Sequence, residues 1–298
     1  MKILLPTDGS SSSETAARFL KRLNLSNIDE ITILHVISDD PFQDSEDYYN
    51  IKIKEISQLI APKILNSAMN ILQSIPSKIN QVLMNGYPDK CIVDAAVNLK
   101  ADMIVMGPKR LKGIKSRIVG SVTKSVSIIS PKPILVIKPV QRDPSSKMRI
   151  LFATDGSDHA RKAAEILTLM PFHDNTEITV IHVVAPAFYD VPDEFMAKIG
   201  KHFREDLNKY GNTALMESEN IVAQTVQYLS TKFSALDSLT KIGDPTDEIL
   251  QTADEWKADL IVVGSKGMGG LRGAVGSLSR YILSVAECSV LIGKTDRL

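Results

Sequence analysis

The feature that most constrains this chain is that it says the same thing twice. KILLPTDGS at the start returns as RILFATDGS at Arg149 to Ser157, so Asp8 matches Asp155, 147 residues on. ITILHVI (Ile31–Ile37) returns as ITVIHVV (Ile178–Val184), and His35 and His182 keep that offset. Further on, Gly86 matches Gly243 and Gly107 matches Gly264, now 157 residues apart. The second half has therefore gained about ten residues between Val184 and Gly243. Gly120 and Gly276, and Lys138 and Lys294, stand 156 apart, so one residue is lost between Gly264 and Gly276. Segments that agree in order and spacing over a period of about 150 residues mark a duplicated domain, not a short solenoid repeat. The polar stretch QRDPSSK (Gln141–Lys147) separates two apolar strand patterns. It sets the expected domains at 1–140 and 147–298, with 141–146 as linker.

Each half carries the same alternation. KILLP predicts a strand, and Ser10 to Leu23 follows with helical spacing and a hydroxyl at its start. ITILHVI is a β-branched, buried strand, and about Asp47 to Ser74 predicts a long helix. INQVLMNG predicts a strand, Pro88 to Lys100 a helix with proline in its first turn, and ADMIVMG a strand. Ser121 to Ile129 predicts a helix, and PILVIK a last strand. Apolar strands alternating with helices imply α/β architecture. With right-handed crossovers each half becomes a doubly wound, five-stranded parallel sheet with helices on both faces. The long helix after the second strand, and the insert there, are placed at the site mouth or a partner surface.

Composition narrows the function. Lys plus Arg and Asp plus Glu are both 35, and aromatics are 5%. A balanced charge argues against a general nucleic-acid binder, and few aromatics argue against a base-stacking platform. No apolar run approaches the ~18–20 residues of a membrane span. The opening residues do not read as a signal peptide, and two cysteines, Cys91 and Cys288, make no disulfide framework. A soluble cytoplasmic protein with reduced thiols is the expectation.

Ligands of open α/β sheets sit beyond the carboxyl ends of the strands. Thr7-Asp8-Gly9 and Thr154-Asp155-Gly156 close the first strand of each half, and Gly107 and Gly264 close the fourth. Glycines there admit a phosphate to the backbone. The helix starts at Gly120-Ser121 and Gly276-Ser277 offer free amides and a favourable dipole. A carboxylate on the neighbouring strand suits a base, a ribose or Mg²⁺ between phosphates.

On these residues the sequence resembles the universal stress protein family in its tandem two-domain form. Nucleotide-binding members carry G-x2-G-x9-G-[ST] after the fourth strand and an aspartate after the first. The resemblance implies an adenine nucleotide alpha-hydrolase-like fold, an intrachain pseudo-dimer in which PILVIK and SVLIG pair, and ATP binding with Mg²⁺. By position it implies a nucleotide site at Ala153, Thr154, Asp155, Val183, Val263, Gly264, Gly267, Gly276, Ser277 and Leu278. A second possible site comprises Pro6, Thr7, Asp8, Val36, Met106, Gly107, Arg110, Gly120, Ser121 and Val122. Both halves depart from the pattern. The second has both leading glycines but eight residues before Gly276, a deletion that Gly267, Gly269, Gly270 and Gly273 can absorb. The first has nine, but Arg110 replaces the second glycine and Pro108 removes a donor. Arg110 either obstructs the site or pairs with a phosphate. The second half is the better expected site.

Other residues read more plainly. Asp8 and Asp155 also suit Asx turns that start the next helix. The Gly86-Tyr-Pro and Gly243-Asp-Pro steps read as strand-to-helix turns, with pocket lining through their backbone as the alternative, and His35 and His182 read as hydrogen-bonded structural histidines. Lys109, Arg110, Lys112, Lys115 and Arg117 form either a solvated loop or a polyphosphate grip. Neither cysteine is placed in redox chemistry, and no residue is assigned as catalytic or as a metal ligand. The expected function is an ATP-binding stress-response regulator acting through conformation or partner binding. The alternatives are a nucleotide-independent interaction scaffold with an unidentified protein partner, or a slow ATPase or nucleotidyl-transfer enzyme. No P-loop G-x4-G-K-[ST] and no G-x-S-x-G elbow is present. A homodimer of tandem chains completes the expected partners.

Overall fold

The computed structural model describes residues 1–38, 48–108, 119–139, 146–185, 201–267 and 275–294. Outside them lie Arg110 with the other basic residues of its loop, Gly269, Gly270, Gly273 and most of the expected linker.

The first half runs β1 (Lys2–Pro6), α1 (Ser11–Leu20), β2 (Glu30–Ser38), α2 (Tyr48–Leu72), β3 (Lys78–Gly86), α3 (Pro88–Asn98), β4 (Met103–Met106), α4 (Ser121–Ile129) and β5 (Ile134–Val136). The second repeats it as β6 (Arg149–Ala153), α5 (Asp158–Leu169), β7 (Glu177–Val184), α6 (Lys201–Leu229), β8 (Ala235–Ile242), α7 (Pro245–Trp256), β9 (Leu260–Gly264), α8 (Ser277–Val285) and β10 (Ser289–Gly293). Part of the second-half insert is taken up by α6, 29 residues against 25 in α2. The remainder falls in 186–200, outside the described residues.

The strands do not form two separate sheets. They lie in one ten-stranded sheet, in the order β3-β2-β1-β4-β5-β10-β9-β6-β7-β8. Within each half all described pairs are parallel. The join is antiparallel, with Val290 opposite Val136, Leu291 opposite Leu135 and Ile292 opposite Ile134. This is the expected pairing of PILVIK with SVLIG, made by a shorter β5 than the six apolar-rich residues predicted.

Strand side chains alternate between two apolar layers, as period-2 geometry requires. Ile3, Leu5, Ile31 and Ile33 meet Leu20, Leu65 and Leu72 of α1 and α2; Ile150, Phe152 and Val180 meet Leu167 and Leu229 of α5 and α6. Leu4, Leu34 and Ile104 face the other way, against Ile92 and Val126 of α3 and α4. Leu151 and Ile181 do the same against Ile249 and Ile282 of α7 and α8. Both faces are thus covered, and the polar chemistry is left to the strand ends.

Two lysines complete the join. Lys138 is buried, and its Nζ donates to the Leu283 carbonyl at 3.0 Å and to that of Ala286, at the end of α8. Lys294, buried too, donates to the Ser127 and Ser130 carbonyls at the end of α4, at 2.6 and 2.7 Å. Each half therefore places a cation on the negative end of the other half's last helix.

Candidate functional site

The turn after β6 starts the site. Asp155 Oδ1 accepts the Ser157 N–H at 3.0 Å, and Ser157 caps α5 by accepting the Ala160 N–H at 3.2 Å. The first half repeats this with Asp8, Ser10 and Ser13. Both aspartates therefore form Asx turns, and the serine two residues on supplies the cap. Gly9 and Gly156 lie at φ +75° and +74°, the left-handed region that glycine enters without penalty. The long helices pack on these turns: Ile64 of α2 meets Gly9 and Ile221 of α6 meets Gly156. The helix after the second strand thus flanks the aspartate turn, but none of its described residues lines either cavity. Burial raises the Asp8 pKa, but hydrogen bonds from Ser10, Ser13 and the local backbone outweigh it and hold the carboxyl below its ordinary value.

The ends of β6, β7 and β9 and the start of α8 enclose a cavity of about 560 Å³. All ten residues named for the second-half site line it: Ala153, Thr154, Asp155, Val183, Val263, Gly264, Gly267, Gly276, Ser277 and Leu278. That volume falls within the ~300–1,000 Å³ of small-molecule sites. In the first half, Pro6, Thr7, Asp8, Val36, Met106, Gly107, Gly120, Ser121 and Val122 line a smaller cavity of about 190 Å³. Arg110, the tenth residue, lies outside the described residues, so neither of its two roles is decided.

The helix start is the polar centre of the larger cavity. Ser10, Ser157 and Asp244 cap α1, α5 and α7 with their side chains, but α8 begins on Gly276 and α4 on Gly120 with no side-chain cap. Their first-turn amides are left to the cavity side, at the positive end of the dipole. Ser279 anchors α8 by donating to the Gly264 carbonyl at 2.6 Å, and the Gly276 N–H donates to the Ser265 carbonyl at 2.7 Å.

The glycines serve different purposes. A Cβ on Gly264 would stand 2.8 Å from the His159 carbonyl carbon and 2.9 Å from the Ala160 nitrogen. On Gly107 it would stand 2.1 Å from the Ser12 carbonyl oxygen. At these two positions strand end and helix backbone touch, which is a packing reason for glycine beside the expected approach of a phosphate. Gly276 is different. Its backbone is ordinary (φ −60°, ψ 158°), and a Cβ would meet nothing nearer than Lys266 Cα at 3.4 Å. Nothing within the described residues requires a glycine there. A Cβ on Gly267 would stand 2.9 Å from Asp155 Oδ2, which sets the start of the glycine loop beside the carboxylate.

Several lining residues were not among the twenty expected site residues. Lys266 and Arg280 bring positive charge to the second cavity; Ile181, Ile249 and Val275 bring apolar wall. Pro245 and Pro88 line the two cavities, so the Gly-x-Pro steps are pocket walls as well as turns. His182 is hydrogen-bonded as expected, with Nδ1 2.6 Å from Ser218 Oγ, but it also lines the cavity. Burial lowers its pKa, and the charge of Asp155 opposes that shift. His35 instead bonds the Thr7 carbonyl at 2.8 Å and does not line the first cavity. The signal for His182 was the extra polar pair, Ser218 and Thr240, which meet only in the folded chain (3.1 Å). Cys91 is buried, its thiol 3.6 Å from the Asn85 carbonyl, and burial pushes the Cys288 thiol up to about 12. Among the described residues no cluster of three His, Cys, Asp or Glu side chains is placed to hold a metal ion, and no helix is long and apolar enough to cross a membrane.

Comparison with known proteins gives one consistent answer. The model of the universal stress protein family matches residues 1–138 and again 148–294. A universal stress protein of Thermus aquaticus is 34% identical over 144 residues, covering 48% of this chain and 96% of that protein. One from Methanocaldococcus jannaschii is 28% identical over 152 residues, 46% of this chain and 94% of its own. These relatives are single units matched by about half of this chain. The crystal structure of a universal stress protein from Archaeoglobus fulgidus covers 98% of both chains, with a TM-score of 0.66 at 22% identity, and so shares the whole fold. With two matches of the family model that together span nearly its full length, the chain belongs to the universal stress protein family, as a tandem of two units.

Proposed function

We propose that this chain is an adenine-nucleotide-binding regulator of the stress response, with its principal site in the second half. The observation that carries the reading is the 560 Å³ cavity in which Asp155, Gly267 and the uncapped start of α8 meet. Its apolar wall of Val183, Ile181 and Ile249 suits an adenine ring. The amides after Gly276, with Lys266 and Arg280, suit a polyphosphate. Asp155 suits a ribose hydroxyl or Mg²⁺ held chiefly by the phosphates, since Mg²⁺ commonly takes only one or two protein carboxylates. A glycine at Gly276 that no described neighbour demands is what close passage of a phosphate would require. Nucleotide would then act by changing conformation, and so alter the surface offered to a protein partner. The first half repeats the aspartate turn and the uncapped helix start around a smaller cavity, with Arg110 in place of the second glycine, and is the weaker site.

The test is the nucleotide content of the full chain purified without added ligand, followed by calorimetry with ATP and Mg²⁺. About one adenine nucleotide per chain, lost in a folded Gly276→Glu variant, is expected. No nucleotide and no uptake of MgATP would overturn the reading in favour of a ligand-independent scaffold, which the sheet join and the two lysines would hold together unaided. ATP turnover measured on the same samples separates binding from catalysis, and binding without rapid turnover is the expected result.

A further inference from the structure

A further cavity of about 760 Å³ is neither of these sites. It lies at the seam of the two halves. Arg18, Lys21 and Arg22, at and after the end of α1, form one wall; Phe172, His173, Asp174, Asn175 and Thr176, between α5 and β7, form the other. Next to it the Asn24 N–H donates to the Pro171 carbonyl at 2.6 Å. Those two residues occupy matching positions in the repeat, so the contact marks the pseudo-twofold axis.

Among the described residues the charges of this cleft are not balanced from within. Arg18 is paired with Glu14 at 3.0 Å, but Lys21 and Arg22 have no described side-chain partner. Arg22 Nη1 is closed off from solvent and has no hydrogen-bond acceptor within reach. A guanidinium stays charged in any protein environment, and a buried donor without a partner is rare in a folded chain. Asp174 is the one carboxylate among the described lining residues, and its charge acts on Lys232. The duplication gives a second argument. The positions matching Arg18, Lys21 and Arg22 are Glu165, Thr168 and Leu169, which carry no cation. The basic wall belongs to one half only, so it is not a shared requirement of the fold.

We propose that this cleft is a second ligand site, one per chain, for a phosphate-type oxyanion of two or more negative charges. Arg22 and Lys21 would supply the charge, with the Asn175 amide and the His173 ring as further donors. The proposal stands apart from the nucleotide reading, because the two sites share no lining residue.

The probe is inorganic pyrophosphate, titrated by calorimetry into the nucleotide-free full chain, with thermal melting in parallel. Wild type is expected to take up one equivalent that Arg22→Met either lacks or binds at least tenfold more weakly. Pyrophosphate should raise the melting temperature of wild type more than that of Arg22→Met. Lys21 is exposed, so Lys21→Met should fold normally and weaken uptake severalfold. Identical isotherms for wild type and both variants would overturn the proposal, as would uptake abolished only by Gly276→Glu. Citrate separates charge from phosphate chemistry: weaker uptake of citrate supports the assignment, and equal uptake overturns it.

Discussion

Gly264 and Gly276 look alike in the sequence and behave differently in the structure. At Gly264 a methyl group would run into the backbone of His159 and Ala160. We expect Gly264→Ala to lose about 1–3 kcal/mol, read as a lower urea midpoint. At Gly276 the backbone is already that of a helix N-cap and a Cβ fits at 3.4 Å. Gly276→Ser should therefore cap α8 and raise stability by a few tenths of a kcal/mol. It should weaken MgATP binding, because the new hydroxyl takes the amide that the phosphate would use. Tighter MgATP binding by Gly276→Ser would count against the assigned phosphate position. His182 gives a pH dependence with a defined sign. Its burial favours the neutral ring, so its folded pKa lies below the ordinary 6.5. Its contribution is intact above 6.5 and is lost as pH falls through the folded value. The fall in urea midpoint from pH 7.5 to pH 5 should be smaller in His182→Gln than in wild type.

At the scale of elements, α3 and α7 end in the same unusual way. Lys100 and Lys257 sit at φ 51° and 54°, in the left-handed region where a side chain costs about 1–2 kcal/mol. The strain is tolerated because Ala101 and Ala258 donate back to the Ala96 and Ala253 carbonyls at 2.9 and 2.8 Å, closing each helix. Glycine adopts the same backbone freely, although it also loosens the unfolded chain. Lys257→Gly should accordingly stabilise by about 0.5–1 kcal/mol, measured by chemical denaturation. These ends were not legible, because Lys-Ala-Asp carries none of the glycine signal that usually marks such a cap. The helix starts were legible: Ser10 and Ser157 cap where a hydroxyl was expected, and Pro88 opens α3.

For the whole molecule, the sheet join and the lysine pair decide whether the halves act as one. Lys138 grips α8 and Lys294 grips α4, so each half depends on the other's terminal residues. Lys138→Met and Lys294→Met keep the apolar stem but leave last-turn carbonyls unbonded, at an expected cost of about 1–3 kcal/mol each. Because the two lysines serve different helices, the double variant should lose roughly the sum in equilibrium unfolding. Loss well short of the sum would mean that one contact already fails when the other is removed.

The sequence by itself determined the duplication, the order of strands and helices, and the positions where a ligand site could form. Those are local matters, set by hydrophobic period, capping residues and the repeat offset. Of the twenty site positions it pointed to, nineteen line the two cavities, since matched motifs at strand ends must gather where the strand order reverses. Only the tertiary structure decided which glycines serve packing and which is left without a packing reason, because that depends on helices distant in the chain. It alone brought His182 to Ser218, set two lysines on the opposite half's helices, and placed three basic residues of α1 and its following turn against the segment after α5. Such pairings join residues separated by 36 to 167 positions, and no local pattern records them.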